Sequence, residues 1–93
     1  MLISKDEINK SIIKKGWNHE NKKIIKSYNF KNFSESIEFI NKISEICESI
    51  NHHPEIEIKQ SNVKIAIYSI DFDGITTKCI NLALKIDSIY ITN

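Results

Sequence analysis

The sequence predicts an α+β layer fold with the element order helix, strand, strand, helix, strand, strand, helix. Three observations predict it. An apolar stripe at helical spacing runs from residue 33 to residue 50. On either side of it lie paired stretches of alternating apolar and polar residues, joined by short polar turns. The chain has 93 residues, which makes one domain with one modest core. Antiparallel hairpins with helices packed on one face satisfy all three.

The first helix is expected over about residues 5 to 15. Ser4 with Glu7 forms a capping box, Ile8, Ile12 and Ile13 recur at helical spacing, and Gly16 ends the run. Residues 17 to 21 read as a short strand, with His19 at the surface. Lys23 to Phe30 reads as the next strand, with Ile24, Lys26, Tyr28 and Phe30 on one parity. Asn32 and Glu35 offer a second capping box. The long helix behind it carries Phe33, Ile37, Phe39, Ile40, Ile43 and Ile46 toward the sheet.

Beyond it, Ile56 and Ile58 alternate with Glu55, Glu57 and Lys59, as in a half-buried strand. Residues 60 to 62 form a turn, and residues 63 to 70 a second strand. Asp71 to Gly74 is a loop in which Gly74 is expected to supply a positive φ. Thr76 is the expected N-cap of a last helix over residues 77 to 90, with Ile80, Ala83, Leu84, Asp87 and Tyr90 near one face.

Composition narrows the function. All thirteen basic residues are lysine, the net charge is +1, and no arginine is present to grip phosphate or guanine with two bonds. Nucleic acid is therefore not an expected partner. No apolar run reaches membrane-spanning length and the N-terminus does not read as a signal peptide, so the expectation is a cytoplasmic protein without membrane attachment. Cys47 and Cys79 are then expected as reduced thiols. Their spacing, with that of the histidines, makes no closed ligand set, so no metal and no cofactor are expected.

The chemistry concentrates in Glu48-Ser49-Ile50-Asn51-His52-His53-Pro54-Glu55. Pro54 forces the preceding residue out of helical conformation, so the long helix must stop by about His53. Glu48 then lies in its last turn, within reach of both imidazoles. A carboxylate there can fix a tautomer and raise basicity, and imidazole suits acid–base work near neutral pH. From the residues alone, three readings stand: a catalytic pair, half of a metal site, or a solvated helix end.

These residues, together with Gly16-Trp17, Phe30-x-x-Phe33, Phe39, Val63-x-Ile65, Gly74-Ile75-Thr76 and Leu82-Ala83-x-x-Ile86-Asp87, resemble the pterin-4a-carbinolamine dehydratase family over nearly the whole chain. The resemblance implies a four-stranded antiparallel sheet with three helices on one face, assembled into homodimers or homotetramers. It implies a hydro-lyase reaction of tetrahydrobiopterin recycling, in which a 4a-hydroxytetrahydropterin loses water to give quinonoid dihydropterin. His52, His53 and Glu48 would be catalytic, His53 foremost. Pro54, Ile70, Phe72 and Cys79 would border the pterin.

Three positions depart from the family pattern. Ile70 stands where a third histidine is usual, Cys79 where an aspartate is usual, and Gln60 where an aromatic residue is usual. An isoleucine can pack on a pterin face but cannot move a proton. The alternative reading is therefore a member of the fold with weak or no activity that binds a protein as an assembly or regulatory factor.

Overall fold

The computed structural model describes residues 2–92, with side chains to residue 90. Helix α1 spans Lys5–Ser11, β1 Asn18–Glu20, β2 Lys23–Asn29, α2 Phe33–Ile50, β3 Glu55–Lys59, β4 Asn62–Ile67 and α3 Thr77–Thr92. A short 3-10 turn, Ile13–Lys15, follows α1. The four strands form one antiparallel sheet in the order β1-β2-β4-β3. The predicted fold class and element order are therefore observed.

Local chemistry accounts for the boundaries. Ser4 Oγ accepts from the Glu7 amide at 3.2 Å, and Asn32 Oδ1 accepts from the Glu35 amide at 2.9 Å, so both expected caps close. Gly16 takes φ +94 and ends the 3-10 turn. Asn21 and Lys22 both take positive φ, which lets a two-residue connection join β1 to β2 without splaying them.

Register sorts the side chains. Ile24, Lys26 and Tyr28 oppose Ile67, Ile65 and Val63, and Ile56 and Ile58 oppose Ile65 and Val63 on the far side of β4. This face meets the helices. Ile8 and Ile12, Phe39 and Ile43, and Leu82, Ala83 and Ile86 join it in one buried cluster. The opposite face is mostly polar: Glu55, Glu57 and Lys59 line up with Ala66, Lys64 and Asn62.

Five expectations need correction. In α2 the buried side runs through Ser36, Phe39, Ile43 and Cys47, while Phe33 is 56% and Ile37 36% exposed. An apolar stripe wider than the contact it makes leaves one edge outside. In α3 the buried residues are Cys79, Ile80, Leu82, Ala83 and Ile86, and Leu84 and Tyr90 lie at the rim. Strand β4 ends at Ile67; beyond it, Ser69 and Gly74 pair to close a tight loop, with Ser69 donating to the Gly74 carbonyl at 2.7 Å. Within that loop Asp73, not Gly74, takes the positive φ of 54°. Gly74 instead makes room: a Cβ there would lie 2.7 Å from Leu2 Cδ2. His19, expected at the surface, is half-buried.

Candidate functional site

The site begins at the end of α2. Asn51 takes the left-handed conformation, φ 52 and ψ 49. Its amide donates to the Glu48 carbonyl at 3.4 Å, and the His52 amide donates to the Cys47 carbonyl at 3.1 Å. This paired closure stops the helix three residues before Pro54, and asparagine tolerates it because its side chain is short and polar. His52 and His53 then run as irregular backbone into β3.

The two adjacent imidazoles meet different partners. His53 Nε2 lies 2.6 Å from Glu48 Oε2, both side chains being well exposed at 58% and 74%. A carboxylate accepts hydrogen bonds, so Nε2 carries the proton in this pair and Nδ1 holds the lone pair of the neutral ring. His52 turns the other way. Its Nε2 lies 3.4 Å from Sγ of the buried Cys79 on α3. Burial, then the Lys78 ammonium and the neighbouring His53, push the His52 pKa below its ordinary value.

Across from the histidines stands the segment that follows β4. Asn51, His52 and His53 on one side, and Tyr68, Ser69, Ile70 and Asp71 on the other, enclose a cleft of about 260 Å³. Ser69 Oγ accepts from the Phe72 amide at 3.2 Å, which holds the turn in shape. Ile70 projects at the mouth, 79% exposed.

Of the residues singled out from the sequence, the fold brings His52, His53 and Ile70 to the cleft wall and puts Glu48 behind His53. Cys79 reaches the cleft only through His52. Pro54 and Phe72 do not line it; Phe72 sits on the same turn, 51% exposed. Among the described residues no group of three or more His, Cys, Asp or Glu side chains gathers to hold a metal ion. Gln60 lies beyond the far end of β3, in the turn to β4.

The sequence reading missed two features. Tyr68, Ser69 and Asp71 in the cleft wall carried no motif. Asp87, read as part of a helix face and of the family pattern but given no partner, accepts from Trp17 Nε1 at 3.0 Å, Lys26 Nζ at 2.8 Å and Tyr28 Oη at 2.6 Å. A carboxylate set among apolar residues of the last helix, in a chain with one tryptophan, was the available signal.

Comparison with known proteins bears on this geometry. Residues 1–89 match the family model described as Pterin 4 alpha carbinolamine dehydratase. A Sulfolobus acidocaldarius protein, provisionally named as a pterin-4-alpha-carbinolamine dehydratase, is 36% identical over 90 residues, 96% of this chain and 99% of its own. A Nostoc relative with the same provisional name is 39% identical over 89 residues, 95% of this chain and 96% of its own. The crystal structure of a transcriptional coactivator/pterin dehydratase from Brucella melitensis superposes with a TM-score of 0.92 at 25% identity, over 97% of this chain and 99% of that one. A pterin dehydratase-like protein identified as a RuBisCO assembly factor in the alpha-carboxysome shares the fold, with a TM-score of 0.67 at 15% identity over 80% of this chain and 86% of that one.

Proposed function

Because the chain belongs to the pterin-4α-carbinolamine dehydratase family, we propose that it dehydrates 4a-hydroxytetrahydrobiopterin, or a related 4a-hydroxytetrahydropterin, to the quinonoid dihydropterin. The observation that carries the reading is the His53–Glu48 pair at 2.6 Å beside a cleft also walled by His52. The reaction needs little else. A base takes the proton from N5, the N5 electron pair closes a C4a=N5 double bond, and the C4a–O bond breaks. The departing hydroxyl takes up a proton and leaves as water, so the enzyme ends unchanged.

In this reading His53 is the principal acid–base residue, because Glu48 leaves its Nδ1 lone pair as the proton-accepting position. His52 positions the pterin or the leaving hydroxyl. Pro54 stiffens the segment that carries both, Cys79 sits behind His52, and Ile70 with Phe72 supplies apolar surface at the mouth. No metal or other cofactor enters this scheme.

The test is a stopped-flow assay on chemically generated 4a-hydroxytetrahydropterin. Dehydration faster than the spontaneous rate, and dependent on enzyme concentration, supports the reading. A rate equal to the spontaneous one, with no pterin binding by calorimetry, would leave the protein-binding alternative. The exposed Ile70, Phe72 and Phe33 are the apolar residues that alternative would use.

A further inference from the structure

The scheme above leaves the thiol of Cys79 unused, although it is fully buried and touches two polar side chains. Thr76 Oγ1 accepts from the Cys79 amide at 3.4 Å and lies 3.4 Å from Cys79 Sγ. The threonine hydroxyl has one proton, and it donates that proton to sulfur. The thiol also has one proton. Thr76 already donates to the sulfur, and the other polar side chain the thiol touches, 3.4 Å away, is His52 through Nε2. A neutral imidazole nitrogen can take that proton as an acceptor, which leaves the ring's own proton on Nδ1.

We propose that Cys79 is a positioning residue that holds His52 as the neutral Nδ1–H tautomer, opposite to the tautomer Glu48 imposes on His53. Its catalytic meaning rests on the dehydratase reading. Two neighbouring rings in one cleft then differ in role: His53 has an Nδ1 lone pair that accepts a proton, and His52 has an Nδ1–H that donates a hydrogen bond to substrate.

A carboxylate at position 79 would act in reverse. It would accept from Nε2–H, free the Nδ1 lone pair, and favour the imidazolium. The surroundings agree with a neutral ring. Lys78 and Cys79 face His52 from α3, His53 adjoins it with Glu48 beyond, and Tyr68 and Asp71 stand across the cleft. Burial and the Lys78 charge outweigh any pull toward the charged form.

The experiment is two-bond ¹H–¹⁵N correlation on the ¹⁵N-labelled full chain, where Nδ1–H and Nε2–H imidazoles give distinct patterns. The expected result is Nδ1–H for His52 and Nε2–H for His53 in the unmodified protein. Cys79→Ser, which keeps a donor, should retain the His52 pattern. Cys79→Asp should reverse it and move the His52 titration midpoint to higher pH. An Nε2–H pattern for His52 in the unmodified protein, or a His52 pattern untouched by Cys79→Asp, would overturn the proposal. The unmodified protein decides the first point even if a variant fails to fold. No turnover is read, so an inactive enzyme with the expected tautomers would count against the dehydratase reading alone.

Discussion

Asp87 draws three donors onto one carboxylate: the Trp17 indole, the Tyr28 phenol and the Lys26 ammonium, which also reaches the Lys15 carbonyl at 2.7 Å. The charge pair is mostly covered, with side-chain exposures of 21% for Lys26 and 14% for Asp87. Removing the acid would leave a covered cation and two covered donors without their partner. Asp87→Ala should therefore destabilise the fold by about 3 kcal/mol, the low end for breaking a buried pair. Urea unfolding followed by Trp17 fluorescence measures it, and a change under about 0.5 kcal/mol, as for an ordinary surface site, would show the network to be idle. Burial and the Asp87 hydrogen bond raise the Tyr28 pKa above its ordinary value. At this scale the sequence was only partly legible. Glu48 and His53 are five residues apart and their contact follows from one helix turn. His52 and Cys79 are 27 apart and Asp87 and Trp17 are 70 apart, so only the folded chain makes those contacts.

Helix α2 shows what periodicity can and cannot tell. Its apolar stripe predicted a core helix, and Phe39 and Ile43 are indeed fully buried. The ring of Phe39 packs 5.0 Å from that of Tyr28 and 4.9 Å from that of Phe30, centroid to centroid. Phe39→Ala should cost roughly 3–5 kcal/mol, read as a lower urea midpoint; a loss under about 1 kcal/mol would mean that the site collapses around the missing ring. The same periodicity could not say that Phe33 and Ile37 fall outside the contact, because that depends on where the sheet ends. The helix stops at Ile50, inside the limit that Pro54 sets. Pro54 is sufficient to end a helix, but Asn51 ends it sooner by closing the last carbonyls itself.

The loop after β4 carries the second element-scale prediction. Ile70 stands at the cleft mouth, 79% exposed, so a polar ring there meets no packing constraint. Ile70→His should add a proton-transfer group to the cleft and raise kcat/KM in the dehydration assay. An unchanged or lower value, with pterin affinity intact, would show that the position does not face the reacting atoms. No propensity identified this turn as a cleft wall. Its shape comes from the Ser69–Gly74 pairing and from Ile3, whose amide donates to the Ile75 carbonyl at 3.0 Å.

At the scale of the molecule, β1 and β3 form the sheet edges, and unpaired edge groups invite another chain. Ile56 on β3 is 38% exposed, and α2 leaves Phe33 and Ile37 uncovered. Those surfaces suit a homodimer or homotetramer, and sedimentation velocity at micromolar concentration should find one; a single monomeric species would count against it. Fold class and element order were legible in the sequence because caps, turns and alternation all agree. The cleft was legible on one wall, where a motif lies in one segment, and on the other only at Ile70, which the family resemblance pointed to. The proposed chemistry turns on one step, in which His53, held by Glu48, moves the proton of a dehydration. Its most direct measurement is the stopped-flow dehydration rate of His53→Ala beside the unmodified protein, with His19→Ala as control. His53→Ala should lose about 10²–10⁴-fold and His19→Ala none. An unmodified protein clearly faster than the spontaneous reaction, with His53→Ala equally fast, would contradict it.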